Sequence, residues 1–362
     1  MSNYSLMQLA AAAGAGLIIA TPGCVAADDW APVLTIEVPI EVQNDWAYES
    51  DDPSAEFNTL SIKAEPSITI EFGAGVSLVA GLVLEPVQEP SVAGDHRTFD
   101  DQGLFVEVLA LRFESGPLSL YGGKFGPNFA IAWDAAPGVY GTDLEEEYEI
   151  SERIGLGGAI TWEGGDFGAH MVSASTFFLD TSGLAESAFA RRKKTRDGDG
   201  GPGNTGGFDS VAGGLDGTFP WAPGFRYHFS TAHLGQGVGG GDDESRFAIA
   251  AEYAIAVTDD LSITPLVEWV DFHDADGTDG TNRDYLTGGL GLSYGSWNLA
   301  FAGTRKETET GLGAKTNEEQ VQVSIGYAFE FGLGVDVGWK RTRNDGIDTD
   351  TAGTLLSYTV AF

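Results

Sequence analysis

The feature that most constrains this chain is a period-two alternation, carried in long segments up to its last residue. In residues 320–329 one face is Val321, Val323, Ile325, Tyr327 and Phe329, and the other is Gln320, Gln322, Ser324, Gly326 and Ala328. Residues 246–257 set Phe247, Ile249, Ala251, Tyr253, Ile255 and Val257 against Arg246, Ala248, Ala250, Glu252, Ala254 and Ala256. Leu34, Ile36, Val38, Ile40 and Val42 alternate with Thr35, Glu37, Pro39 and Glu41, and residues 60–72 do likewise. Such a period belongs to strands whose two faces meet different surroundings.

A soluble sandwich also alternates, and two features argue against it. The segments reach lengths well beyond the ~5–6 residues usual for soluble strands, and a tilted strand needs ~9–11 residues to cross a bilayer. The less apolar face is Gly, Ser, Thr, Ala, Gln and isolated charges, as a water-filled lumen requires.

The alternation predicts 16 strands, near 33–43, 57–71, 75–86, 103–114, 117–126, 149–162, 165–180, 207–217, 224–234, 245–257, 261–272, 284–294, 297–306, 319–330, 333–343 and 353–362. Leu109 and Leu111 break the pattern within 103–114, and 207–217 is mostly Gly and small residues. Short connections at 72–74, 115–116, 163–164, 218–223, 258–260, 295–296 and 331–332 alternate with longer polar ones. The expected fold is therefore all-β: a transmembrane antiparallel barrel with short periplasmic turns and long outer loops.

Composition excludes the competing classes. Acidic side chains outnumber basic ones 54 to 19, a net charge of -35, which disfavours nucleic acid because binding there is built on Lys and Arg. One Cys makes neither a disulfide nor a cysteine zinc cluster. With 42% apolar and 11% aromatic residues, the chain is too hydrophobic for acidic disorder. No cofactor is implied.

At the N-terminus, residues 6–20 (LMQLAAAAGAGLIIA) form an apolar run, too short for a comfortable membrane helix, and small residues follow. Val25 and Ala27 suit a cleavage site, so 1–27 reads as a signal peptide and 28–362 as one barrel domain. No Lys or Arg precedes the apolar run. Cys24 reads as a discarded signal-peptide cysteine rather than a lipidation site, because Thr21 and Pro22 do not suit a lipidation box. Trp162, Tyr294, Trp297 and Phe329 fall at periplasmic strand ends, and Trp269 and Trp339 toward outer ends, as two aromatic girdles would.

Residues 355–362 end on Phe, with Leu356, Tyr358, Val360 and Phe362 at alternate positions. This resembles the terminal signal that outer-membrane barrels present to the barrel assembly machinery. The segments GGKFGPNF (122–129), WDAAPGVYGTD (133–143), YEISERIG (148–155) and SASTFF (173–178) resemble a group of Gram-negative porin-like proteins of poorly defined substrate. The resemblance implies a porin in the outer membrane among lipids and lipopolysaccharide, and general porins are homotrimers.

A barrel of this size is too wide for its own side chains to fill, so an aqueous channel is the default. In general porins the connection after the fifth strand folds into the bore; here 127–148 reads PNFAIAWDAAPGVYGTDLEEEY. Asp134, Asp143, Glu145, Glu146 and Glu147 make it acidic, and two readings stand: a constriction lining that favours cations, or a solvated outer loop. Lys63, Arg153, Arg226, Arg246, Glu252, Glu268, Asp336 and Lys340 lie on lumen faces, where they line the bore or pair among themselves.

The basic run Arg191-Arg192-Lys193-Lys194-Thr195-Arg196 reads as a clamp for lipopolysaccharide phosphates or as a solvated loop. Asp-rich stretches at 271–284 and 345–350 allow weak Ca²⁺ or Mg²⁺ binding but lack EF-hand spacing. His228 and Ser230 share a lumen face, with no acidic orienter evident beside them, so a catalytic triad is not expected. The expected function is a passive, cation-preferring channel for small hydrophilic solutes. The alternatives are a substrate-specific porin for anions, phosphate, siderophores or sugars, and a plugged barrel acting as adhesin or lipid-modifying enzyme.

Overall fold

The computed structural model describes residues 32–88, 92–192 and 195–362. The signal-peptide segment, Cys24, Lys193 and Lys194 lie outside them. Sixteen antiparallel strands form one closed barrel. They are β1 (Val33–Ser50), β2 (Asn58–Ala64, continued by Ser67–Gly73), β3 (Val76–Pro86), β4 (Gln102–Ser115), β5 (Leu118–Phe125), β6 (Arg153–Glu163), β7 (Ala169–Leu179) and β8 (Ser210–Phe219). The second half is β9 (Ala222–Leu234), β10 (Glu244–Tyr253, continued by Ile255–Ala256), β11 (Leu261–His273), β12 (Asn282–Tyr294), β13 (Trp297–Glu309), β14 (Lys315–Ala328), β15 (Gly334–Asn344) and β16 (Ile347–Ala361). Closure runs along β1 and β16, from Glu37 opposite Ala361 to Ser50 opposite Thr349.

The alternation that defines each strand also sorts its faces. Leu156, Ile160, Val267, Leu286, Val321, Ile325 and Val337 are exposed on the outer surface, as a lipid-facing band requires. Trp162, Tyr294, Trp297, Phe329 and Trp269 are exposed as well, and Trp339 donates to the Tyr48 hydroxyl at 3.1 Å. The irregularity in β4 is a β-bulge: Val106 pairs with Leu82 and Val108 with Gly81, which leaves Glu107 as the extra residue. One inserted residue shifts the face assignment of everything beyond it, so Leu109 and Leu111 fall back into phase.

The core lies inside the barrel on one side. Phe129, Ala130, Tyr148 and Ile150 pack with Phe177, Ala212, Ala232, Leu234, Ala248, Val270, Phe272 and Tyr285 on the inner wall. Ile131, Ala132 and Ala136 pack with Ala250 and Leu266. Burying a side chain such as Phe129 or Ile131 contributes about 1.5–3 kcal/mol, which a solvated loop forgoes.

Because β5 ends at Phe125 and the chain turns inward, the upper edge of β4 loses its neighbour. Ala188–Phe189 fills that place by pairing with Gly103 and Leu104. A second short segment, Arg97–Thr98, runs parallel to Thr59 and Leu60 of β2.

Candidate functional site

The segment 127–148 lies against the inner wall from β7 round to β1. Asn128 donates to Ser173 Oγ on β7 and to Asp216 on β8, at 3.0 and 3.1 Å. Ala130 N–H donates to Ser230 Oγ on β9. The amides of Ile131 and Ala132 donate to Glu268 on β11 at 2.6 and 3.0 Å, and the Tyr148 hydroxyl donates to the same carboxylate at 2.7 Å. Farther round, Gln322 and Gln320 of β14 donate to the carbonyls of Pro137 and Tyr140, both at 2.6 Å. Lys340 of β15 meets Asp143 at 2.6 Å, and Tyr140 reaches Asp45 of β1 at 2.6 Å.

Small inner-face residues make this path possible. A Cβ on Gly289 would strike Pro137, one on Gly338 would press on Val139, and one on Gly353 would overlap the Tyr140 hydroxyl. The segment's placement inside the wall thus rests on packing, on hydrogen bonds and on absent side chains together. On its free side Asp134 and Glu146 lie within electrostatic reach of Lys63 and Glu65 of β2, and Glu146 also of Glu85 on β3.

No model of a known protein family matches the chain, and no curated protein does. Solved structures do. The barrel is similar to the outer membrane channel DcaP of Acinetobacter baumannii, with a TM-score of 0.57 at 10% identity over 91% of this chain and 97% of that one. It is similar to OpdK from Pseudomonas aeruginosa, with a TM-score of 0.56 at 10% identity over 91% and 99%. It is also similar to the trimer form of OmpT from Vibrio cholerae, at 0.53 and 12% over 91% and 100%. The chain has the β-barrel fold of these outer-membrane channels.

Within this porin-fold barrel the acidic residues of the inward segment separate into different situations. Glu145 is fully buried and accepts from Thr287, at 2.8 Å, and from Thr304, with no cation paired to it among the described residues. It is therefore an internal fastening, neither the lining charge nor the solvated loop residue that the sequence left open, and burial pushes its carboxyl up to about 7. Glu147 accepts from Tyr285 at 2.7 Å and meets Lys306 at 2.6 Å. Burial raises Asp143, against which the Lys340 ammonium pulls downward. Glu146 is solvent-accessible, yet the protein crowded around it inside the barrel desolvates its carboxyl and raises it, with Lys63 opposing. Burial lifts Asp134 to about 6, and its charge neighbours include Arg226, Glu65 and Lys63. Glu149, beyond the expected segment, rises to about 8 through burial and then through Glu107 and Glu146.

The wall residues divide in the same way. Lys63 sits beside Glu65 at 3.1 Å, and the two side chains keep 38% and 42% of their surface, as water-facing groups in an open bore do. Lys63 also feels Glu146 and Glu85. Arg226 pairs with Glu252 at 3.1 Å, while Arg246 pairs with Glu244 at 2.6 Å and lies over the Phe272 ring. Asp336 occupies the inner-face space beside Gly326 and Asn298. Arg153 packs near Gly203, with its Nε finding no hydrogen-bond partner among the described residues. Glu268 corrects a sequence reading: at 1% exposure it does not line the bore.

Three residues that the sequence reading did not single out hold the wall where β5 departs. Lys124, at 1% exposure, meets Glu152 at 2.7 Å and Asp180 at 2.8 Å. Arg192 joins them through Glu152 and lies 3.9 Å from the Phe105 ring centre. Arg192 is thus an inward fastening, in place of the phosphate clamp or solvated loop expected of its basic run. Such ionic fastening has no short-range sequence signature, since its members come from β5 and from two separate connections.

Asp216 corrects the expectation that His228 has no acidic orienter: His228 Nδ1 lies 2.7 Å from Asp216 Oδ1. Ser230 Oγ is engaged by the Ala130 amide instead. Among the described residues no three metal-ligating side chains converge. Leu356, Tyr358 and Phe362 are exposed along one face of the closing strand and the chain end beyond it, and Val360 lies between them.

Proposed function

We propose that the chain is a passive channel for small hydrophilic solutes and ions, with a preference for cations. The single observation that carries this reading is the sign of the passage beside the inward segment. On the wall side stand Glu41, Glu65, Glu85 and Glu107 with Lys63 among them, and on the segment's side stand Asp134, Glu146 and Glu149. Carboxylates facing one another across a narrow bore favour cations, and low-dielectric walls strengthen their field.

In this reading 127–148 is the constriction. Glu146 and Asp134 line it, Glu145 fastens it, and Asp143 and Glu147 are partly neutralised by Lys340 and Lys306. The mature domain is 28–362 after removal of 1–27, and Leu356, Tyr358, Val360 and Phe362 serve the assembly machinery. The trimer form recorded for the OmpT neighbour supports a homotrimer here as well. The reading is tested by liposome swelling with arabinose: entry above that of empty liposomes supports an open channel, and its absence refutes one.

A further inference from the structure

Glu268 stands where three donors from both limbs of the inward segment converge. Ile131 and Ala132 belong to the descending limb, at the start of the single helical turn Ala132–Ala135. Tyr148 closes the returning limb. Their distances to one carboxylate are 2.6, 3.0 and 2.7 Å. Both oxygens are used, Oε2 by the Ile131 amide and Oε1 by the Ala132 amide and the tyrosine.

The neighbours of Glu268 on its own strand show what it is for. A charge meant for passing ions would stand among polar inner-face residues, as Lys63 stands between Ser61 and Glu65. Glu268 is flanked on the inner face by Leu266 and Val270, which are 5% and 1% exposed and pack against the segment. The first amides of a helical turn have no intrahelical acceptor, so a carboxylate supplied from the wall answers two of them at once. The far contacts of the segment, at Asp143 and Tyr140, hold its tip; the limbs pack on each other through Phe129, Ala130 and Tyr148, and among the described residues Glu268 is the wall side chain that hydrogen-bonds both of them.

We infer that Glu268 is the positioning residue that sets the calibre of the pore, acting through the placement of segment 127–148 and not through its charge on passing ions. This rests on the reading of the barrel as a diffusion channel. The experiment compares wild type, Glu268→Ala, Glu268→Gln and Tyr148→Phe in liposomes, measuring swelling in neutral sugars from arabinose to raffinose, with the reversal potential in a KCl gradient alongside. Neutral sugars do not respond to a bore charge, so their size cut-off reads position.

Glu268→Ala is expected to raise the raffinose rate several-fold relative to arabinose, with Glu268→Gln intermediate and Tyr148→Phe shifted least in the same direction. An unchanged sugar profile overturns the inference, whether or not the reversal potential moves. If Glu268→Ala does not assemble, Tyr148→Phe decides, since it removes one of the three bonds and no charge: a raffinose rate equal to wild type refutes the role, and a raised one supports it. A wild-type protein that admits no sugar refutes the channel reading itself, which separates the two failures.

Discussion

The Tyr140 hydroxyl donates to Asp45 at 2.6 Å, so the tip of a segment that leaves the wall after β5 touches β1, the strand that closes the barrel. Gly353 on β16 lies beneath that contact, and only the lack of a Cβ leaves room for the tyrosine ring. Replacing Gly353 with Leu is expected to push the tip off the wall without breaking closure, because the register of β1 with β16 is held by backbone bonds. Single-channel conductance and open-channel noise check this: both change in G353L, while heat-modifiable migration on a gel stays that of a folded barrel.

Removing the hydroxyl alone tests the same contact more gently. Tyr140→Phe removes this donor while half-buried Asp45 keeps Gln43, so the cost is about 1 kcal/mol. The expected result is increased current noise at unchanged mean selectivity, read in planar bilayers.

Protonation gives the passage a pH dependence with a definite sign. Asp134 and Glu149 are raised to about 6 and 8 respectively, each chiefly by burial. Between pH 5 and pH 9 these groups lose protons, so the ratio of potassium to chloride permeability is expected to rise with pH. Folded carboxyls with raised values bind protons more tightly than the unfolded chain does, so their contribution to stability declines as pH rises from the ordinary carboxylate range toward these values. Reversal potentials and unfolding temperatures measured across that range check the two statements separately.

Lys63 is the ammonium that Glu65, Glu85 and Glu146 share. Its side chain remains over one-third exposed, so its loss is expected to alter permeation more than stability. Lys63→Met should shift the reversal potential further toward cations, and Lys63→Arg should leave it near wild type. A Met variant indistinguishable from wild type contradicts this placement of the passage.

Lys124 has the opposite profile. It is buried between Glu152 and Asp180, and Lys124→Met strands a buried carboxylate at a cost of about 3–5 kcal/mol. The expected readout is a lower unfolding temperature for the barrel. Since Ala188–Phe189 is the neighbour of β4 beside this cluster, faster proteolysis of the connection around 181–192 is expected with it.

The wall was legible because each strand carries its own evidence: period two survives in any segment with lipid on one side and water on the other. The bulge at Glu107 shows the limit of that rule, since a single extra residue looks like lost alternation until the pairing of Val106 and Val108 is known. Lumen-face charges were legible as inward-pointing but not as used or unused. Glu268 and Lys63 look alike in sequence; one is sealed beneath the inward segment and the other stays in water, and only the path of that segment separates them. Lys124, Asp180 and Arg192 were illegible for the same reason, because their meeting depends on where β5 leaves the wall. Asp216 escaped notice beside His228 because its strand, rich in glycine, carried the weakest alternation.

The central claim is that ions pass between the acidic side of segment 127–148 and the carboxylates of β1 to β4. Its most direct test is the reversal potential of the wild-type protein in a planar bilayer across a KCl gradient. The expected result is a potential displaced toward that of potassium, reduced when Glu146 and Glu65 are together replaced by Gln. A potential displaced toward chloride in the wild type, or no conductance at all, contradicts it.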